Sequence, residues 1–267
     1  MNILVCIKQV PNAEEIKVDA AANTSNLDSA PKIVNTFDTY ALETAVKLKD
    51  ADASVKVVVV TMGPEKAKEA LKSCLSVGAD KAYLVNDEAY AGSDTLATSY
   101  ALSCAVKTIE DREGAAFDMI LCGKQAIDGD TAQVGPQLAE FLGYPQLTYA
   151  AEITVADGAV RARRETEDGY VVAEAKMPAL LTVTKTEYEP RYASVKSKMA
   201  ANRAEITVLT GDDLGLDMAK AGLAGSPAKV CETRVPQRKT GGVKLEEETA
   251  ELAVDKLTAL LSDAGVI

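Results

Sequence analysis

The feature that most constrains this chain is a series of continuous apolar, β-branched runs separated by helical patterns. The runs are ILVCI (3–7), VKVVVVTM (55–62), AYLV (82–85), DMILC (118–122) and ALLTVT (179–184). An uninterrupted run leaves no polar face, so each suits a strand buried on both sides. Between them, residues 64–77 put Ala67, Ala70, Leu71, Cys74 and Leu75 on one helical face, with Pro64 at the start and Gly78 at the stop. Residues 93–109 repeat the pattern through Ala97, Tyr100, Ala101, Cys104 and Ala105 after the capping residues of GSDT, and 38–49 and 131–142 read alike. Strands alternating with helices predict an open α/β domain: a mainly parallel, Rossmann-like sheet flanked by helices.

The rhythm changes after residue 150. Region 151–176 carries Asp-Gly pairs at 157–158 and 168–169 between β-like stretches, which predicts a β-hairpin insertion. From Glu187 the chain mixes aromatics with Lys and Arg, and 211–244 is rich in Gly, Pro and charge. The expected organisation is an α/β domain over 1–195, hairpin region included, and an extended C-terminal arm over 196–267. Residues 246–262 predict a terminal helix with Ala253, Leu257, Leu260 and Leu261 on one stripe, buried either on a partner chain or back on this one.

Composition then narrows the chemistry. The 267 residues include no His and no Trp. The commonest general acid/base and the commonest metal ligand are therefore missing, which favours a chain that carries a cofactor able to supply the chemistry itself. A net charge of −11 argues against nucleic acid or an anionic membrane as a partner. The five cysteines are scattered and never in C-x-x-C spacing, so they read as reduced thiols in a cytoplasmic protein, not as a disulfide or zinc framework. The first apolar run ends at Lys8 without a cleavage-like site, and no window reaches the length of a membrane span, so membrane insertion is not expected.

In an open parallel sheet the ligand sits at the carboxyl ends of the strands. The loops there read KQVPN, GPEK, NDEAYAGSDT and GKQAIDGDTAQVGP. The last two combine Gly with Ser, Thr or Asp just before a helix, an arrangement that aims free backbone N–H groups at a phosphate. Asp94, Asp128 and Asp130 would repel a phosphate, so they serve either as caps and loop braces or as ligands of a metal held with the phosphates. Lys124 could offset the charge, and Gly129 could serve a tight turn. Cys6 and Cys122 read as small core residues, Phe37 as a staple or a ring stacked on a cofactor, and Lys196 and Lys198 as a solvated face. Neither G-x-G-x-x-G after the first strand nor G-x-x-x-x-G-K-[ST] is present.

Six ordered blocks carry a family resemblance: ILVCIKQVP at the start, NTFDTYALETAVKLKD (35–50), VVTMGPEKAKEALKSCLSVGADKAYLV (59–85), LCGKQAIDGDTAQVGPQLAEFLGYPQ (121–146), EPRYASVK (189–196) and PQRKTGGVK (236–244). Over nearly its whole length the chain resembles the beta subunit of electron-transfer flavoproteins. The resemblance implies a heterodimer with an alpha subunit, around which the arm wraps. It also implies that an adenine nucleotide is surrounded by Cys6, Asn35, Phe37, Asp38, Met62, Gly63, Gly92, Ser93, Asp94 and Thr95. The segment Cys122, Gly123, Lys124, Gln125, Ala126, Ile127, Asp128, Gly129, Asp130, Thr131, Ala132, Gln133, Val134, Gly135 and Pro136 would complete the enclosure.

Family members hold either AMP as a structural filler or a second FAD that takes hydride from NADH. AYAGSDTLATSYAL (89–102) resembles the FAD-holding, electron-bifurcating type, and Gly129 and Thr131 stand where the AMP type carries bulkier or different residues. FAD is the expected cofactor, with NADH as donor and ferredoxin or flavodoxin as one acceptor. The other electron is expected to leave through FAD on the alpha subunit to an acyl-CoA dehydrogenase. TEYEPRYASVKSKM resembles the segment that docks on that dehydrogenase, which makes Tyr188, Arg191, Tyr192, Val195, Lys196 and Met199 the candidate partner residues; Val195 stands where Leu is common. Two rival classes are an ATP-using α/β ligase or hydrolase, which needs a Ser- and Gly-rich loop that CIKQVPN does not provide, and a pure interaction module.

Overall fold

A computed structural model describes residues 1–15, 17–19, 24–26, 30–232 and 241–267. The first apolar run forms β1 (Asn2–Cys6), and a short strand β2 (Gln9–Pro11) follows it. Two further short strands, β3 (Lys17–Asp19) and β4 (Thr24–Asn26), pair antiparallel, and β5 (Lys32–Val34) pairs antiparallel with β2. The chain then alternates as expected: α1 (Thr36–Ala51), β6 (Lys56–Met62), α2 (Lys68–Ser76), β7 (Lys81–Val85), α3 (Thr95–Glu113), β8 (Met119–Gly123) and α4 (Val134–Leu142). The hairpin region supplies β9 (Gln146–Ala156), β10 (Ala159–Thr166) and β11 (Gly169–Lys176), and the last long apolar run is β12 (Ala179–Val183).

Among the described residues one sheet has nine strands in the order β11-β10-β9-β12-β8-β1-β6-β7-β13, where β13 is Thr207–Leu209. From β9 to β13 in that order every pairing is parallel, and only the β9–β10 and β10–β11 pairings at one edge are antiparallel. The continuous apolar runs are explained by the two layers they serve. Ile3, Val5, Val57, Val59 and Leu121 pack under α1 and α2, while Leu4, Val58, Val60 and Ile120 pack under α3 and α4. Successive side chains of one strand point to opposite faces, so a strand covered on both sides has no polar position to spare.

The first Asp-Gly pair forms a two-residue loop between β9 and β10, with Asp157 at φ 50° and Gly158 at φ 73°. Both signs are positive, as a type I′ hairpin requires. The second hairpin pairs Thr166 with Gly169, so its loop residues are Glu167 and Asp168 and the glycine opens β11.

Two compact units divide the chain, Met1–Thr233 and Arg234–Ile267. The first runs past the division expected at 195, because residues beyond it find partners on the sheet. After α5 (Val195–Arg203), β13 pairs with the exposed edge of β7, and α6 (Gly211–Leu214) follows. Leu209, Leu214 and Ala221 are buried in the layer beneath α3. An open strand edge carries unpaired N–H and C=O groups, and a three-residue strand is enough to satisfy them. In the second unit the terminal helix α7 (Ala250–Asp263) has no buried residue. The 236–240 part of the PQRKTGGVK block lies outside the described residues. No helix among the described residues is long and apolar enough to cross a membrane.

Candidate functional site

From β1 the chain steps outward to β6 and β7, then returns to the other side of β1 as β8. Where the strand order reverses, between β1 and β8, an open parallel sheet offers its ligand crevice at the carboxyl ends of the strands. The long GKQAIDGDTAQVGP loop leaves β8 at this crevice.

The first turn of α1 lies across it. The Asn35 backbone N–H donates to the Lys8 carbonyl at 2.9 Å, and Asp38 Oδ2 accepts the Lys8 N–H at 2.7 Å. Asp38 Oδ1 accepts the Gly123 N–H at 3.1 Å and the Asn35 amide at 2.9 Å. Asn35 reaches further, donating to the Gln125 carbonyl at 2.8 Å and accepting the Ile127 N–H at 3.0 Å. A Cβ on Gly123 would stand 2.2 Å from Asp38 Oδ1, so this approach requires glycine. Burial pushes the Asp38 carboxyl up to about 7, against the lowering effect of Asn35, of the Lys8 and Gly123 N–H groups and of the Lys8 charge. Lys8 Nζ pairs with Asp128 Oδ1 at 2.7 Å, a second link across the crevice.

The two loops singled out by their Gly and Asp content meet where α3 and α4 begin. The Thr95 hydroxyl donates to Gln133 Oε1 at 3.0 Å. Asp94 caps α3 by accepting the Leu96 and Ala97 N–H groups, both at 3.0 Å, and also accepts the Ala228 N–H at 2.9 Å. Burial works to raise this carboxyl, but the Ala228, Ala97 and Leu96 N–H groups outweigh it and hold Asp94 below the usual carboxylate range. The α4 end differs, because Gln133 makes no side-chain cap. That leaves the Val134 and Gly135 amides at its first turn, since Pro136 carries no N–H. Gly135 lets α4 lie close on β12: a Cβ there would meet the Thr182 methyl at 2.5 Å.

Helix α4 starts three residues later than its apolar pattern predicts. Asp130 and Ala132 stand at φ 53° and 54°, in the left-handed region that a right-handed helix cannot include. Gly129 lies in the tight turn expected of it, its N–H donating to the Ala126 carbonyl at 3.2 Å, without taking positive φ. Asp130 Oδ1 accepts the Gln125 amide at 2.7 Å. All three aspartates are thus taken up as caps and braces, and among the described residues no group of three His, Cys, Asp or Glu could hold a metal.

The other expected residues are more dispersed. Gly63 follows β6 and its N–H donates to Val85 at 3.0 Å, so Met62 and Gly63 tie β6 to β7. Cys6 and Cys122 are buried neighbours at the ends of β1 and β8, and the contact with Cys6 together with burial pushes the Cys122 thiol well up. The Lys124 ammonium lies 5.9 Å from the Phe37 ring centre and 5.1 Å from that of Tyr149. Gly92 has φ 75° and packs against Leu223, and the Ser93 hydroxyl donates to the Tyr90 carbonyl at 2.7 Å. Thr131 is exposed. Sequence reasoning missed Ser226, whose hydroxyl accepts the Asp94 N–H at 2.8 Å. It also missed Gly222 and Gly225, each of which has backbone where a Cβ would be. AGLAGSP (221–227), with two glycines before Ser-Pro, was the available signal.

The six candidate partner residues separate into two groups. Tyr188 bonds Thr44 at 2.7 Å, and Arg191 grips Glu43 at 2.9 Å and Asp50 at 2.6 Å, so both strap the segment onto α1. Tyr192 is 98% exposed, Val195 77% and Met199 54%, and Lys196 is exposed beside them.

The electron transfer flavoprotein domain model matches residues 26–214. Among curated proteins, the chain is 47% identical over the full length of both chains to the electron transfer flavoprotein subunit beta of Megasphaera elsdenii. It is 41% identical, again over the full length of both, to the caffeyl-CoA reductase-Etf complex subunit CarD of Acetobacterium woodii. Protein FixA of Azorhizobium caulinodans is 40% identical, over 97% of this chain and 93% of its own. The chain belongs to the electron transfer flavoprotein family, as a beta subunit.

Proposed function

We propose that this beta subunit holds an adenine nucleotide, FAD, in the crevice between β1 and β8, and works in electron bifurcation within a heterodimer with an alpha subunit. The observation that carries the reading is the meeting of the β8 loop with the uncapped first turn of α4 at the reversal of strand order. The donor set fits a pyrophosphate. The Val134 and Gly135 amides point out of the first turn of α4, and Lys124 makes no ion pair with a described residue, so its charge is available. FAD bound there would take hydride from NADH, delivering electrons to ferredoxin or flavodoxin and, through FAD on the alpha subunit, to an acyl-CoA dehydrogenase. The chain's own residues bind, orient and shield the group, in keeping with the absence of His.

Tyr192, Val195, Lys196 and Met199 form the proposed docking face for the dehydrogenase. The CarD relative, whose name places it in a complex with a caffeyl-CoA reductase, supports a partner that acts on a CoA thioester. The cytoplasm is the proposed compartment.

The test is to co-express the chain with its alpha subunit, release the nucleotides by denaturation and count FAD and AMP per heterodimer. Two FAD and no AMP is the expected result. One FAD with one AMP would make this a simple electron carrier and overturn the second flavin.

A further inference from the structure

We propose that Asp38 is the positioning residue of the nucleotide crevice: its carboxylate, held between the β1 and β8 loops, sets their separation and so how tightly they grip the nucleotide. The inference rests on the nucleotide reading above and goes beyond it by naming the group that acts through the loops.

Three donors converge on this one side chain: the Lys8 N–H at 2.7 Å, the Gly123 N–H at 3.1 Å and the Asn35 amide at 2.9 Å. An ionised carboxylate is all acceptor and serves all three at full strength. A proton on either oxygen adds an O–H that faces N–H donors and weakens that oxygen as an acceptor, which loosens the loop bonded to it. The opposing influence is burial. Asp38 is 6% exposed and has no ion-pair partner among the described residues.

The groups around Asp38 do not neutralise it. The Lys8 ammonium is turned across the crevice to Asp128 at 2.7 Å, and Lys124 lies over the Phe37 and Tyr149 rings. Burial raises the Cys74 thiol of α2, the Cys6 contact and burial raise the Cys122 thiol of β8, and the Asp38 charge adds to both, so they stay neutral. Donors and burial balance near neutrality, at about 7. The chain has no His, so Asp38 stands out as a proton site in that range.

The experiment uses the heterodimer, stripped of nucleotide and reloaded separately with AMP and with FAD, as wild type and as Asp38→Asn. Release rates are measured from pH 8 to pH 6, together with amide exchange at Lys8 and Gly123. Wild type should release nucleotide roughly tenfold faster at pH 6 than at pH 8, the scale of one lost hydrogen bond to a charged group. Asp38→Asn, which mimics the protonated acid, should be fast and flat across the range, with both amides exchanging faster. Parallel pH profiles in the two proteins would overturn the proposal, even if the variant were less stable, since a purely structural role shifts stability without flattening the profile. If Asp38→Asn does not assemble, a flat wild-type profile with unchanged exchange at the two amides overturns it, and the sloping profile supports it. Wild type that takes up neither AMP nor FAD overturns the nucleotide reading and this inference with it, whereas tight binding with parallel profiles overturns this inference alone.

Discussion

Asp38 makes stability and grip depend on pH in opposite directions. Its folded value is raised from 3.8 to about 7, so the native chain holds a proton that the unfolded chain releases. Its contribution to stability is therefore fully present below about pH 4 and is lost as pH rises through 7, with a slope of up to about 1.4 kcal/mol per pH unit. Urea unfolding of wild type and Asp38→Asn between pH 4 and 8 should show the steeper decline in wild type; equal slopes would contradict the buried proton. Gly135 tests the same region sterically. Gly135→Val must displace the Thr182 methyl, which lies 2.5 Å from where even a Cβ would sit. Overpacking of this kind costs about 1–3 kcal/mol, and the nucleotide count per heterodimer should fall with it. These residues also mark the limit of what the sequence shows. The resemblance puts Asn35 and Asp38 beside the nucleotide, but nothing in NTFD tells that their side chains turn toward the loops.

At the scale of elements, the strap that leads from β12 to α5 is held by Arg191 on Glu43 and Asp50, and by Tyr188 on Thr44. Glu43 is 7% exposed, so Arg191→Ala strands a buried carboxylate and should cost roughly 1–3 kcal/mol. If the exposed Tyr192, Val195 and Met199 dock the dehydrogenase, the same variant should weaken that association while leaving the nucleotide count unchanged. Val195→Ala should weaken association without the loss of stability. Strands β1, β6, β7, β8 and β12 were legible because each apolar run exceeds what a single buried face demands. Strand β13 was not, because Thr207–Leu209 is a three-residue stretch whose strand character comes from the free edge of β7. The late start of α4 escaped for a similar reason, since Asp130 and Ala132 take left-handed backbone that their residue types do not announce.

At the scale of the whole molecule, the chain divides into a sheet unit, Met1–Thr233, and a C-terminal unit whose described residues include none that is buried. Helix α7 exposes Leu252 at 51%, Val254 at 60%, Leu257 at 47% and Leu260 at 39%. Such a stripe is costly to leave in water, and an alpha subunit is the partner this family implies. Removing 234–267 should leave the unfolding temperature of the sheet unit within a few degrees, while association with the alpha subunit falls sharply, as gel filtration of the co-expressed chains would report. Full association of the truncated chain would show that the arm is dispensable. By itself, the sequence determined the alternating α/β architecture, the hairpin at Asp157–Gly158 and the loops at the sheet's carboxyl end, because these follow from side-chain periodicity and local backbone preference. Only the tertiary structure decided that residues 196–232 join the sheet unit and that one buried aspartate joins two loops 115 residues apart, at Lys8 and Gly123. These depend on which donors and acceptors remain unsatisfied once distant segments meet, and no local pattern encodes that.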